Sequence, residues 1–161
     1  MPKLTQVKET KRGRYALFFD GEFAFSLDED TFAMAGLHTG DELEEWQIHD
    51  LQTKSDTRKA VDKAMDLLAL RDHAAGELYQ KLCRSFDPHS AAAAVAKMQE
   101  LNLLDDAGFA RRRAAELLRK RKSRRAILDD LHAKGIDRGT AAEAVEALFA
   151  QSEEDEEENP E

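Results

Sequence analysis

The sequence predicts a mainly α-helical protein: two tandem three-helix repeats, preceded by a small N-terminal α+β module that contains a β-hairpin. Three observations predict it. From Ser55 onward, apolar residues recur at helical spacing in segments that open on capping residues. Those segments repeat at an offset of about fifty residues. The first fifty residues, in contrast, read as short strands around an Asp-Gly pair.

In the N-terminal module (1–52), LTQVKE and RYALFF are short runs with β-branched or aromatic residues. Asp20-Gly21 and then EFAFSL follow. An Asp-Gly pair between alternating apolar runs predicts a type I′ turn, which needs positive φ at both central residues. Phe23, Phe25 and Leu27 alternate with Glu22, Ala24 and Ser26, which places one strand face in a core. A short helix over Asp28–Ala35 stops at Gly36, and Gly40-Asp41 marks a turn. Glu42–Leu51 reads as helix, and Trp46 and the N-terminal phenylalanines read as core or as packing between module and repeats.

The helices follow in order. Ser55 or Asp56 caps one that runs to about Arg71, and a second covers about Ala74–Arg84. Asp87-Pro88 is a cap followed by proline at the first helical position, opening a third helix to about Leu101. Asp105 caps a fourth to about Arg121, and Ser123 a fifth that ends at Gly135 in a left-handed conformation. Asp137 caps a sixth, to about Ala150. Leu67-Leu68 matches Leu117-Leu118 at an offset of 50, and Leu78 and Leu82 match Ile127 and Leu131 at 49. Asp87, Ala91, Val95 and Met98 match Asp137, Ala141, Val145 and Leu148 at 50 again. The repeats are 53–104 and 105–150, too small to stand alone, and they should stack into an elongated array suited to binding. The acidic stretch 151–161 should be disordered by composition.

The charge is uneven. The chain carries −9, but QSEEDEEENPE holds seven acids and no base. RRRAAELLRKRKSRR (111–125) holds nine bases against Glu116. Arg111, Arg112, Arg113, Arg119, Lys120 and Lys122 spread over the polar arc of the fourth helix, and Arg124 and Arg125 open the fifth. This block fits a solvated face, a contact to nucleic-acid phosphate, or a docking surface for an acidic protein. With no aromatic residue interleaved, base stacking is not indicated. Arg71 and Arg121 are different, since both fall inside apolar stripes at matched positions. They read as arginines that bond the last carbonyls of their helices, with stems along apolar side chains.

Other function classes find little support. Five scattered histidines and one cysteine give no metal-ligand spacing, so no metal or other cofactor is expected. No glycine-rich phosphate loop and no acid, base or nucleophile constellation is present, so no catalytic residue is expected and the chain reads as a non-enzyme. Asp105-Asp106 reads as helix capping rather than a metal pair. Cys83 cannot form an internal disulfide and reads as half-buried. No stretch has the length of a membrane span and the start lacks a signal-peptide core, so the expectation is a soluble cytoplasmic monomer with no membrane partner and no small-molecule substrate.

Three stretches resemble one family. LLALRDHAAGELYQKL (67–82) is similar to the first-repeat signature of RecX regulatory proteins. LNLLDDAGFARR (101–112) resembles that family's Leu-Asp-Asp motif, here Leu104, Asp105 and Asp106, with Phe109-Ala110. LHAKGIDRGTAAEAV (131–145) resembles the close of its second repeat and includes Gly135. RYALFFDGEFAFSL is similar to the β-rich extension that some members carry. The resemblance covers about residues 1–150 and implies tandem three-helix repeats without a catalytic centre. It also implies binding to the RecA recombinase, along the groove of its filament on DNA, and modulation, usually inhibition, of strand exchange, ATP hydrolysis and co-protease activity. Many members carry three repeats, whereas this chain shows two, so its array would span less of a filament. The position before the second helix, often serine in the family, is His73 here or a neighbour in the alanine run. A second class of reading is a helical DNA- or RNA-binding module that works without RecA, contacting phosphate with little sequence reading.

Overall fold

A computed structural model describes residues 1–158. The described chain contains three strands, β1 (Leu4–Glu9), β2 (Tyr15–Phe19) and β3 (Glu22–Leu27), and then seven helices. These are α1 (Glu29–Ala35), α2 (Glu45–Leu70), α3 (Ala75–Leu82), α4 (Pro88–Glu100), α5 (Asp106–Arg119), α6 (Arg124–Ala133) and α7 (Arg138–Glu158). The fold is therefore mainly helical, with a small antiparallel sheet at its start. By compactness the chain divides into two units, one formed by 1–62 with 86–94 and the other by 63–85 with 95 onward.

In the first unit the strand order is β1-β2-β3. Asp20 and Gly21 have φ of 51° and 83°, the pair of positive values that a type I′ hairpin requires. Leu4, Leu17, Phe19, Phe25 and Leu27 form the buried face, packed on Leu43 and Leu51. Tyr15 stacks on Phe32 of α1 with ring centroids 4.3 Å apart. Asp28 caps α1, accepting from Thr31 N–H at 3.1 Å, and Gly36 ends it at φ 61°.

Three expectations for this unit need correction. Phe23 is 60% exposed, because β3 carries a bulge: Leu17 pairs with Phe25, but Phe18 pairs with Phe23. The extra residue shifts the two-residue alternation, so Phe23 joins Phe18 edge-on at 5.7 Å instead of entering the core. Trp46 is 65% exposed, its indole N–H donating to Glu44. Neither Ser55 nor Asp56 is a cap, because α2 is one continuous helix of 26 residues. Ser55 is fully buried within it and donates to Ser26 C=O at 2.5 Å. Its hydroxyl also accepts from Arg14, whose Nε donates to Ser26 Oγ at 3.0 Å.

The core of the second unit is built from small residues, Ala74, Ala110 and Ala114, against Leu117, Ile127, Leu131, Ile136 and Val145. Three helices, α4, α5 and α6, end in the same motif, α4 with Asn102 at φ 58°. After α6, Gly135 (φ 86°) donates to His132 C=O and Ile136 to Leu131 C=O, each at 3.0 Å. After α5, Arg121 (φ 62°) donates to Leu118 C=O at 2.8 Å and Lys122 to Leu117 C=O at 3.0 Å. This corrects the reading of Arg121. It lies outside the helix in the left-handed conformation, with an exposed side chain, not in an apolar stripe.

α3 meets the turn after α6 backbone to backbone. A Cβ added to Gly76 would lie 2.8 Å from Gly135 Cα, and one added to Gly135 would lie 2.7 Å from Gly76 Cα. α7 runs on to Glu158, so residues 151–158 are helical where their composition predicts disorder. The remainder of that predicted tail, 159–161, lies outside the described residues.

Candidate partner-binding surface

The Leu-Asp-Asp stretch divides its work between two helices. Asp105 caps its own helix, α5, accepting from Gly108 N–H at 3.0 Å. Asp106 Oδ1 accepts from Ala75 N–H, the first residue of α3, at 2.8 Å. The residue in the capping position of α3 is Ala74, which has no side-chain oxygen. Asp106 thus supplies from α5 the cap that the local sequence of α3 lacks. Leu104 and Phe109 are half-buried, and Ala110 is fully buried in the core. Asp106→Ala should cost about 1 kcal/mol of unfolding free energy, while Asp106→Asn keeps an acceptor and should cost less. Urea unfolding checks this, and equal losses would show that the cap contributes nothing.

Arg71 also has a structural place, though not the expected one. It follows the last residue of α2, donates to Asp72 C=O at 3.0 Å, and sits 2.6 Å from Glu77 Oε1. Lys134 Nζ lies 3.3 Å from the other Glu77 oxygen. Burial pushes the Glu77 carboxyl up, but hydrogen bonds from Lys134 and Arg71 outweigh it and hold the group below the ordinary range. Beside it His73, 3% exposed, has Nδ1 at 2.9 Å from Arg71 C=O and Nε2 at 2.9 Å from Lys81 Nζ. A carbonyl only accepts, so Nδ1 carries the proton and Nε2 receives the Lys81 ammonium N–H: the imidazole is neutral. Burial lowers the His73 pKa, helped by Lys81 and Arg71 and opposed by the Arg71 carbonyl and Glu77.

A histidine pKa lowered by folding means that the unfolded chain binds the proton more tightly. The contribution of His73 is therefore fully present above the ordinary value of about 6.5 and is lost as pH falls through 6.5 toward the folded pKa. Unfolding free energy measured between about pH 7.5 and 5.5 should fall on acidification, and His73→Gln should flatten that slope. An unchanged slope in the variant would show that His73 is not its source.

The eight predicted contact bases separate into two sets. Arg113 is a strut, with its guanidinium on the Asp130 carboxylate through Nε at 2.9 Å and Nη2 at 3.0 Å. That pairing raises the Arg113 pKa and lowers that of Asp130. Arg112 meets Asp72 at 3.2 Å, and Lys120 meets Glu116 at 3.4 Å, both as exposed pairs of little energetic weight. Arg124 lies over the Phe149 ring of α7, 4.9 Å from its centroid. Arg111, Arg119, Lys122 and Arg125 are exposed and have no acidic partner within 4 Å among the described residues. What the fold brings together is the turn between α5 and α6: six of the seven residues from Arg119 to Arg125 are bases, all exposed. Arg125 also reaches the rim of a cleft of about 550 Å³ between α6 and α7, with His132 and Arg138 on the rim and Leu128 and Ile136 on the floor.

Sequence reasoning missed Glu77, Gly76 and the second role of Asp106. Gly76 alone left a signal, a glycine inside a helical pattern, which marks close backbone approach. Among the described residues, no group of three or more His, Cys, Asp or Glu side chains could hold a metal ion, and no helix is long and apolar enough to cross a membrane.

This is the architecture of a helical-repeat protein, with a packed core and a charged turn. Residues 105–145 match the family described as RecX, second three-helix domain. A regulatory protein RecX of Caldanaerobacter subterraneus is 27% identical over 89% of this chain and 73% of its own length. One from Bacillus velezensis is 30% identical over 92% of this chain and 58% of its own, and one from Lactobacillus johnsonii 34% over 84% and 51%. A crystal structure of regulatory protein RecX superposes with a TM-score of 0.68 at 24% identity, covering 92% of this chain and 74% of that one, which supports the fold. The chain is thus similar to the RecX regulatory proteins over most of its own length, and residues 105–145 carry the match to that family's second three-helix domain. It spans only about half to three quarters of the length of these relatives.

Proposed function

We propose that this protein binds the RecA filament on DNA and restrains its ATP hydrolysis, strand exchange and co-protease activity. The observation that carries the reading is the α5–α6 turn, where six exposed bases are displayed on a packed helical scaffold. Such a turn offers point charges to phosphate or to acidic side chains with no means of reading bases, which suits a partner in which DNA phosphates run inside a protein groove. Arg119, Lys120, Lys122, Arg124 and Arg125 make the contact, with Arg111 and Arg112 beside them, while Arg113 holds α5 to α6. The protein acts as a cytoplasmic monomer, without cofactor or catalytic centre of its own, by occupying the filament.

Co-sedimentation tests this. The chain should pellet with RecA filaments formed on single-stranded DNA and bind the same DNA far more weakly alone. Equal binding to bare DNA would favour a RecA-independent nucleic-acid module, and no binding to either would overturn both readings.

A further inference from the structure

The acidic run has a defined position once α7 is seen to continue through it. α6 and α7 are joined by the Gly135 turn and lie antiparallel, because Arg124 at the start of α6 covers Phe149 far along α7. Residues three and four apart share a helix face, so Phe149 is followed on its own face by Glu153 and then Glu156. Glu153 stands roughly 6 Å further along the axis, within reach of long basic side chains. Glu153, Glu154, Asp155 and Glu156 are all exposed, and none has a basic partner within 4 Å among the described residues. Arg124, within the basic turn, is thus seated on the ring from which the acidic run continues along α7.

We propose that the acidic end of α7 is an internal competitor for the α5–α6 turn. It draws Lys122, Arg124 and Arg125 toward Glu153 and Glu156 and must be displaced before a polyanion can dock. The inference rests on the reading of that turn as a phosphate contact. Its physical basis is ordinary: exposed opposite charges at side-chain reach attract by modest amounts each, add over several pairs, and fade as salt rises. A phosphate backbone, with its higher charge density, wins the contest, but at reduced affinity.

Two measurements on the full chain test it. In the first, fluorescence anisotropy with labelled single-stranded DNA compares the wild type with the E153Q/E154Q/D155N/E156Q variant. The variant should bind about fivefold more tightly near 20 mM salt and indistinguishably near 300 mM. A control variant, E9Q/E22Q/E29Q/E45Q, removes the same charge from exposed positions in the first unit and should gain much less. In the second, zero-length carbodiimide coupling and mass spectrometry of the monomer should find Lys120 or Lys122 joined to Glu153 or Glu156, suppressed by added heparin.

An equal gain in the control would assign the effect to net charge and overturn the proposal. So would DNA binding that the basic-turn substitutions abolish and tail neutralisation leaves unchanged, although the phosphate reading would then stand. If no form binds DNA, the phosphate reading fails by itself. The coupling then decides whether the two segments meet, and its absence overturns the competitor directly.

Discussion

Gly135→Ala should lower the unfolding free energy by about 3 kcal/mol, the largest loss from removing or adding one carbon anywhere in the second unit. Two costs coincide at this residue. Its φ of 86° lies in the left-handed region, where a side chain costs about 1–2 kcal/mol. Its new Cβ would also lie 2.7 Å from Gly76 Cα, a backbone atom that cannot rotate away, and such overpacking costs about 1–3 kcal/mol. Two companions separate these effects. Gly36→Ala meets only the conformational cost, because nothing lies within 4 Å of its added Cβ at φ 61°. Gly76→Ala meets only the clash, with Gly135 Cα and C=O at 2.8 Å, offset by about 1 kcal/mol of gained helix propensity. The expected loss is largest at Gly135, with smaller losses of similar size, about 1 kcal/mol each, at Gly76 and Gly36. At about 2–4 °C per kcal/mol for a chain of this size, Gly135→Ala should melt about 10 °C lower. A loss at Gly135 no larger than at Gly36 would mean that α3 does not press on that turn.

Replacing Arg119, Lys120, Lys122 and Arg125 together by alanine should weaken binding to filament or DNA by about 100-fold or more at moderate salt, with little change in stability. Each base withdrawn from a phosphate reduces the slope of log affinity against log salt by about 0.7–0.9, so the slope should fall by about 3. Stability should hold because these side chains are exposed, and the one ion pair among them, from Lys120 to Glu116, is solvated. Arg113→Ala should do the reverse. It leaves Asp130, a carboxylate 27% exposed, without its two-bond partner, and should cost about 1–2 kcal/mol of stability with a small effect on binding. If Arg113→Ala matched the fourfold variant in binding while remaining folded, the division of the basic block into strut and contact would be wrong.

That division was not legible in the sequence, and the reason is one of range. Features fixed by neighbours were readable. Asp87, Asp105, Ser123 and Asp137 each accept from the backbone N–H three residues on, as cap spacing predicts, and Asp20-Gly21 takes the turn its composition demands. Features fixed by partners distant in the chain were not. Ser55 looks like a cap, but its hydroxyl is taken up by Ser26, 29 residues away. Arg113 looks like any other base of its helix until Asp130 is placed opposite it, 17 residues on. Ala74 stands where a serine cap would suit α3, and the missing oxygen comes from Asp106, 31 residues beyond Ala75. Arg71 and Arg121 match in sequence yet differ in place, because α5 closes its last turn with Arg121 left-handed, whereas Arg71 is drawn to Glu77. A bulge of one residue suffices to turn Phe23 out of the core.

The most direct test of the central claim is DNA-dependent ATP hydrolysis by RecA filaments, with this protein added below one copy per RecA. The wild type should suppress hydrolysis and the Arg119, Lys120, Lys122 and Arg125 variant should not, while both melt at the same temperature. Equal suppression by the two would remove the α5–α6 turn from the interface. No effect of either folded protein would contradict the assignment to RecA itself.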